Sequence, residues 1–291
     1  MLKKKYFLGV DIGGTKCAVV AGTSEMEILD RIQFDTKTKL GPEYAIAKLL
    51  ETASVIVEKH SGQQLISIGI SCGGPLNSKL GMIQSPPNLP GWDNIEIVKI
   101  FNEKFNVPVF LQNDANACAL AEWRFGAGKG TQNMIFLTFG TGLGAGLILD
   151  GKLYAGTNDN GGEVGHIRLE NFGPIGYGKT GSFEGFCSGS GIAQLARLKA
   201  TEKLQMGEKV AFCQDMNDLQ NITAQIVADA AKKGDLLAIE IFEICGTYLG
   251  KGLSILIDIL NPECIVIGSI FTRAGELLIP AMRKIIEKEA L

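Results

Sequence analysis

The chain has 291 residues, 46% of them hydrophobic and 20% charged, and a formal net charge of −3. That is globular composition, long enough for two domains with sizeable cores and unlike a disordered chain. The slight negative balance and 7% aromatic content offer no electrostatic footprint or stacking surface for nucleic acid. The seven cysteines (Cys17, Cys72, Cys118, Cys187, Cys213, Cys245 and Cys264) are odd in number and form no CxC or CxxC pair. Most sit in apolar patterns, the usage of buried, unbridged thiols in a reducing compartment. The run Tyr6–Val10 is too short for a signal peptide, and Asp11 ends it. Lys251 and Asp258 interrupt the apolar segment 248–260 well short of a membrane span. A soluble, cytoplasmic protein without membrane partners is expected.

Strand-like and helical patterns alternate along the chain. Residues 5–10 and 16–21 read as strands around a glycine turn, and 28–34 as a third strand. Residues 43–60 place Ala45, Ile46, Leu49, Leu50, Ala53 and Val57 at helical spacing, and His60, closing that helix, reads as surface. Ile66–Ser71 reads as a buried strand and Val107–Leu111 as another. Asn113–Phe125 reads as a helix opened by Asn/Asp and stopped by Gly126. A second strand–turn–strand unit follows at 134–150, then helices over 190–200, 217–232 and 236–260, a strand at Cys264–Ile267, and a final helix over 275–290.

A weak internal repeat links FLGVDIGGTKCAVV (7–20) to IFLTFGTGLGAGLIL (135–149): an apolar strand, a tight glycine turn, another strand. It suggests two similar α/β domains facing each other, with a boundary near 112–130. The expected division is an N-terminal domain over 1–112 and a larger C-terminal domain over 113–291. No helix-turn-helix domain is expected ahead of Lys5.

The first turn is Asp11-Ile12-Gly13-Gly14-Thr15-Lys16. Glycines let backbone come close to a ligand, and successive N–H groups can form an anion nest, to which Thr15 adds a hydroxyl. A carboxylate beside a phosphate repels it unless a cation intervenes, so Asp11 points to Mg²⁺, held through water. A plain β-hairpin is the other reading. The second turn, Gly140-Thr141-Gly142-Leu143-Gly144-Ala145-Gly146, leads into a strand rather than a helix. That argues against a dinucleotide-binding turn, and no GK[ST] follows to make a P-loop. Two glycine hairpins, one per half, fit a nucleotide held between two domains.

With Asn88-Leu89-Pro90-Gly91-Trp92, Asn113-Asp114-Ala115-Asn116 and Gly162-Glu163-Val164-Gly165-His166 added to the two turns, in this order, the chain resembles the ROK-family sugar kinases over nearly its whole length. The resemblance implies two ribonuclease-H-like α/β domains, of the actin/hexokinase/Hsp70 type, around a central cleft. It implies that Asp11, Gly13, Gly14, Thr15 and Lys16 bind ATP phosphates and Mg²⁺, that Gly140, Thr141 and Gly142 bind phosphates from the other domain, and that Gly268-Ser269 lies near the adenosine. Asp114 corresponds to the family's general base, where N-capping is the plainer reading of an Asn-Asp helix start. Phosphoryl transfer needs an oriented hydroxyl, a base within reach and donors or cations on the phosphates. Asn113 would hold a sugar hydroxyl. Asn88, in the loop SPPNLPGW, and Gly74, after a strand, would edge the sugar site, although a rigid turn anchored by Trp92 and ordinary turn chemistry would also account for them.

Glu163, His166 and Glu184 occupy the positions of the family's sugar-hydroxyl ligands. Most of the family also binds a structural zinc through the histidine and three cysteines; those cysteine positions here hold Ile175, Tyr177 and Ser182. His166 alone cannot supply a tetrahedral site. No zinc is expected, with Ile175, Tyr177 and Phe183 packed in place of metal and thiolates. The family also continues past the position of Leu291 with a strand and a last helix, so the closing hinge is in question here.

The expected function is ATP- and Mg²⁺-dependent phosphorylation of a hexose, glucose at its 6-hydroxyl first, with N-acetylmannosamine, N-acetylglucosamine, mannose or fructose as alternatives. A family repressor is disfavoured by charge and by the lack of a DNA-binding segment, and a non-catalytic sugar sensor by the retention of Asp11, Asp114 and both turns. The resemblance implies a homodimer or homotetramer.

Overall fold

The computed structural model describes residues 4–291; residues 1–3, the start of the expected first domain, lie outside the described residues. The chain divides into two compact units, one of 1–117 with 155–161, the other of 118–154 with 162–291.

The first unit begins with an antiparallel meander, β1 (Lys5–Ile12), β2 (Lys16–Gly22) and β3 (Ile28–Asp35). Helix α1 (Gly41–Lys59) follows, then β4 (Gln64–Cys72), the short hairpin β5 (Leu76–Asn77) and β6 (Met82–Ile83), α2 (Ile97–Phe105), β7 (Val109–Asn113) and the start of α3 (Asp114–Phe125), most of which belongs to the second unit. The five-stranded sheet has the order β3-β2-β1-β4-β7, with β1, β4 and β7 parallel. The α1 face is as the spacing requires: Ala45, Leu49, Ala53 and Ile56 are fully buried. Trp92 is 1% exposed and anchors the proline-glycine loop. Burying an aromatic of this size contributes roughly 1.5–3 kcal/mol.

Three expectations shift. Helix α2, with Ile97 and Phe101 buried, has no counterpart in the sequence reading. Strand β7 starts two residues later than expected, because Asn106 closes α2 with φ +51° and Pro108 has no N–H to give a ladder. His60 is not surface: its side chain is 12% exposed, 5.5 Å from the Tyr6 ring, and its Nε2, 3.9 Å from Asp30 Oδ2, is buried without a hydrogen-bond partner among the described residues.

The second unit repeats the plan. Strands β8 (Met134–Phe139), β9 (Leu143–Leu149) and β10 (Lys152–Tyr154) form a meander, and β13 (Cys264–Ile267) adds parallel to β8. Between them run the hairpin β11 (Ile175–Gly176) and β12 (Lys179–Thr180), then α4 (Phe183–Phe186), α5 (Gly189–Gln205), α6 (Ala224–Lys232) and α7 (Leu236–Leu260); α8 (Ile270–Glu289) closes the unit. The core gathers Ile135, Leu137, Phe139, Phe183, Phe242 and Leu249, all fully buried.

The single helix expected over 217–232 is a 3-10 turn, Met216–Asn221, followed by α6. Arg197 causes the break: Nε donates to the Leu219 carbonyl at 3.0 Å and Nη2 to that of Ile222 at 3.1 Å. Leu219 O also accepts from Ile222 N at 3.3 Å, a tight 3-10 closure rather than a continuing α-helical ladder, and Thr223 caps a new helix through Oγ1 and Ile226 N. Helix α8 begins five residues before the expected 275, but its first turn is set off by non-helical Ala274, at φ −137°. No disulfide joins the seven cysteines, and no helix among the described residues is long and apolar enough to cross a membrane.

Candidate active site

In open α/β sheets ligands gather at the carboxyl ends of the parallel strands, and in the first unit the polar residues stand there. Asp11 on β1 is registered with Ser71 on β4, and Ser71 with Gln112 on β7. Ser71 Oγ donates to Asp11 Oδ1 at 3.4 Å. Asp11 keeps accessible surface, yet it is recessed enough that desolvation raises its carboxyl above the ordinary range, and the charge of Asp114 raises it further. Two carboxylates thus share one field, which a cation would relieve. Among the described residues no three His, Cys, Asp or Glu side chains converge on one point, so a Mg²⁺ here would lean on Asp11 and on phosphate oxygens rather than on a protein cage.

The first glycine turn follows Asp11. Gly13 N donates to Lys16 O at 3.1 Å, and Thr36 N to Thr15 O at 2.9 Å. A Cβ on Gly14 would lie 2.4 Å from Asn88 O, so the close approach of the proline-glycine loop demands glycine there. Thr15 and Lys16 are exposed. The same contact brings Asn88 to the turn, and Gly74 lies beside Asn113, whose Nδ2 is 3.5 Å from where a Cβ on Gly74 would be. Asn113 caps α3: its Oδ1 accepts from Ala115 N at 2.9 Å and Asn116 N at 3.4 Å. Asp114 Oδ1 accepts from Ala115 N at 2.8 Å, and no hydrogen bond reaches Oδ2 among the described residues. Capping therefore falls to Asn113, and Asp114 keeps one carboxylate oxygen for other work. Asp11, Gly13, Gly14, Gly74, Asn88, Asn113 and Asp114 thus belong to one edge of one unit.

In the second unit Gly140 and Gly268 follow the carboxyl ends of β8 and β13, and Gly268 N donates to Leu137 O at 3.0 Å. The turn closes through Gly140 N to Gly142 O at 3.0 Å. The amide groups that open α5 hold it from outside: Gly189 N donates to Gly140 O at 2.8 Å and Ser190 N to Thr141 O at 3.2 Å. Glu184 holds it from the other side, Oε2 accepting from Leu143 N at 2.9 Å.

Glu163 and His166 are carried on a 3-10 turn, Val164–His166, that packs against the same strand. Gly162, at φ +94°, accepts from Ala145 N at 3.1 Å. A Cβ on Gly165 would lie 2.1 Å from Leu143 O and 3.2 Å from Glu184 Cβ. The two glycines of G-E-x-G-H are therefore what lets Glu163, His166 and Glu184 collect around the second turn.

The segment after His166 departs from the expected packing. Phe183 is buried, but Ile175 is 52% and Tyr177 69% exposed. Tyr177 meets only the edge of His166, at 6.2 Å between ring centroids. Hydrogen bonds hold this segment instead. Gln194 clamps Ile175 by both its N–H, at 3.0 Å, and its carbonyl, at 2.8 Å. Lys179 Nζ donates to His166 O at 2.7 Å, and buried Ser182 caps α4 by accepting from Gly185 N at 3.1 Å. An imidazole with an alkyl, a phenol and a buried hydroxyl at the other positions is not a donor set for tetrahedral zinc.

A cavity of about 880 Å³ opens beside Gly140 and Thr141. Ser190, Arg197, Thr223, Asp229, Ser269 and Arg273 are among its walls. Ser269 sits at φ +59°, ψ −110°, a strained backbone for a residue with a side chain. The size and mixed polarity suit a nucleoside. Apart from Ser269, these wall residues escaped the sequence reading: they come from three separate helical segments, α5, α6 and α8, and form no motif.

A sequence profile of the ROK family matches residues 7–291, and the chain belongs to that family. It is 32% identical to a glucokinase of Halalkalibacterium halodurans over 294 residues, covering 100% of this chain and 88% of that relative. The solved ROK family glucokinase from Streptomyces griseus, in complex with glucose and AMPPNP, matches at TM-score 0.79 and 28% identity, covering 98% of this chain and 90% of that one. A ROK family transcriptional regulator, a homologue of the E. coli MLC protein, matches at TM-score 0.84 and 27% identity, covering 99% of this chain and 71% of that one. The fold is accordingly the two-domain, ribonuclease-H-like α/β fold of ROK hexokinases, the actin/hexokinase/Hsp70 type.

Proposed function

We propose that this protein is an ATP-dependent hexose kinase whose first substrate is glucose, phosphorylated at the 6-hydroxyl in the cytoplasm. The observation that carries the reading is Asp114, placed at a helix start by the Asn113 cap and with Oδ2 unengaged among the described residues. Asn113 orients a sugar hydroxyl, and Asp114 accepts its proton as the oxygen attacks the γ-phosphorus. A carboxylate suffices as base because proton transfer can lag behind a loose transition state. Asn88 and Gly74 edge the sugar, and Glu163, His166 and Glu184 supply further hydroxyl partners. The backbone N–H groups of Gly14 and Thr15 and of Thr141 and Gly142 donate to phosphate oxygens from turns closed by Gly13 N and Gly140 N, and the cavity beside Thr141 takes the nucleoside. Asp11 fits a Mg²⁺ ion held through water; when bound, the ion supplies positive charge to the phosphates.

ADP release is measured with MgATP and glucose, mannose, fructose, N-acetylglucosamine or N-acetylmannosamine. Turnover with glucose is expected, reduced on the order of 10²- to 10⁴-fold in Asp114→Asn. Preference for another sugar of the panel would reassign the substrate. Sugar binding by calorimetry without turnover of any sugar would favour a non-catalytic sugar sensor, a reading supported by the likeness to a transcriptional regulator.

A further inference from the structure

We infer that Gln112 and Asn116 form a polar clamp that positions the Asp114 carboxylate for proton transfer; the inference rests on the kinase reading above. The two residues bracket Asn113 and Asp114 in the sequence and meet again in space. Gln112 is the next-to-last residue of β7, in the same row as Asp11 and Ser71. Its Oε1 accepts from Asn113 N at 2.9 Å and from Asn116 Nδ2 at 3.0 Å. One amide oxygen thus ties the last strand residue to the first turn of α3, and Asp114 leaves the chain between the two anchor points.

Stability does not explain Asn116. It is 1% exposed, and α3 is already capped by Asn113. Its Oδ1 is buried with no hydrogen-bond partner among the described residues. A buried carbonyl without a donor is costly, and an apolar side chain of similar size would avoid that cost. Such a defect is tolerated where the group does something that packing cannot. Here the other end of the same amide grips Gln112, and the clamp sets the direction of the base. Misplacing a reacting group by about 1 Å costs on the order of 10²-fold in rate.

The test is Asn116→Leu, Gln112→Leu and the double variant, each assayed for kcat, for KM of sugar and MgATP, and for Tm. Asn116→Leu is expected to keep or raise Tm, because the orphaned oxygen is gone, while kcat falls about 10- to 100-fold and the KM for MgATP holds. The double variant is expected to lose no more than the worse single, because the two act as one unit. Should Asn116→Leu not fold, Asn116→Ser carries the same kinetic expectation. An unchanged kcat, or a kcat that falls only in step with Tm, would overturn the clamp and leave the kinase intact. A wild-type protein with no turnover of any sugar would overturn both.

Discussion

In the first glycine turn, Gly14 lies under the backbone of Asn88, and a Cβ there would meet the Asn88 carbonyl at 2.4 Å. In the second, Gly142 faces the tip of Glu184, and a Cβ would meet Oε2 at 2.5 Å. The distances are nearly equal and the neighbours are not. A carbonyl in a loop anchored by buried Trp92 cannot retreat, whereas a carboxylate at the end of a flexible chain can. The charges differ too. The first turn leaves Asp11 in the field of Asp114, with its carboxyl raised, while the second uses its carboxylate, Glu184, as an acceptor for Leu143 N. One backbone plan, repeated in two units, is held by main-chain packing in one and, in the other, by the amides of Gly189 and Ser190 together with a charged side chain.

The largest test of that contrast is a pair of alanines. Gly14→Ala is expected to destabilise by roughly 1–3 kcal/mol, as overpacking does, and to lose nearly all turnover. Gly142→Ala is expected to lose less Tm than Gly14→Ala, because the Glu184 tip can shift while a carboxylate oxygen still reaches Leu143 N, and to show its main effect in KM for sugar and MgATP. Equal losses of Tm would break the comparison. Next comes Glu184→Ala, which strands the Leu143 amide and should cost about 1–3 kcal/mol; Glu184→Gln keeps an acceptor oxygen and should recover most of that in a denaturant titration.

Asp11→Asn should separate stability from activity. The folded carboxyl is raised, so the fold resists its ionised form. Its cost is absent below the ordinary carboxylate range, grows as pH rises through the raised value and is complete at neutral pH. The variant should therefore melt higher than wild type at pH 7, with the gain vanishing in acid, while MgATP turnover falls. A lower Tm at pH 7 would show that Asp11 is not under charge stress. The smallest effect is for Ser182→Ala, the loss of one cap, about 1 kcal/mol by thermal melting, with Phe183 left buried.

Much of this was legible in the sequence because it is periodic or local. Apolar runs on either side of glycine turns marked β1, β2, β8 and β9, and the 236–260 helix and the 264–267 strand fall where their patterns put them. The short helix α2 was missed because its nine residues bury only Ile97 and Phe101, too few to stand out from a loop. The break before α6 was invisible because it depends on Arg197, about twenty residues upstream in sequence. The loop after His166 shows the same limit: Ile175 and Tyr177 look like packing residues by type, yet both face solvent, and the segment is secured by Gln194 and Lys179.

The sequence by itself determined the two repeated strand–turn–strand units, the order of the polar motifs and the family to which they belong, since each rests on residue type and short spacing. Only the tertiary structure decided that Asn113 rather than Asp114 caps α3, that Gln112 and Asn116 grip each other on either side of Asp114, and that a nucleoside-sized cavity opens beside Thr141. Those facts depend on which groups approach within hydrogen-bond distance across elements far apart in the chain, and a local pattern carries no record of that distance.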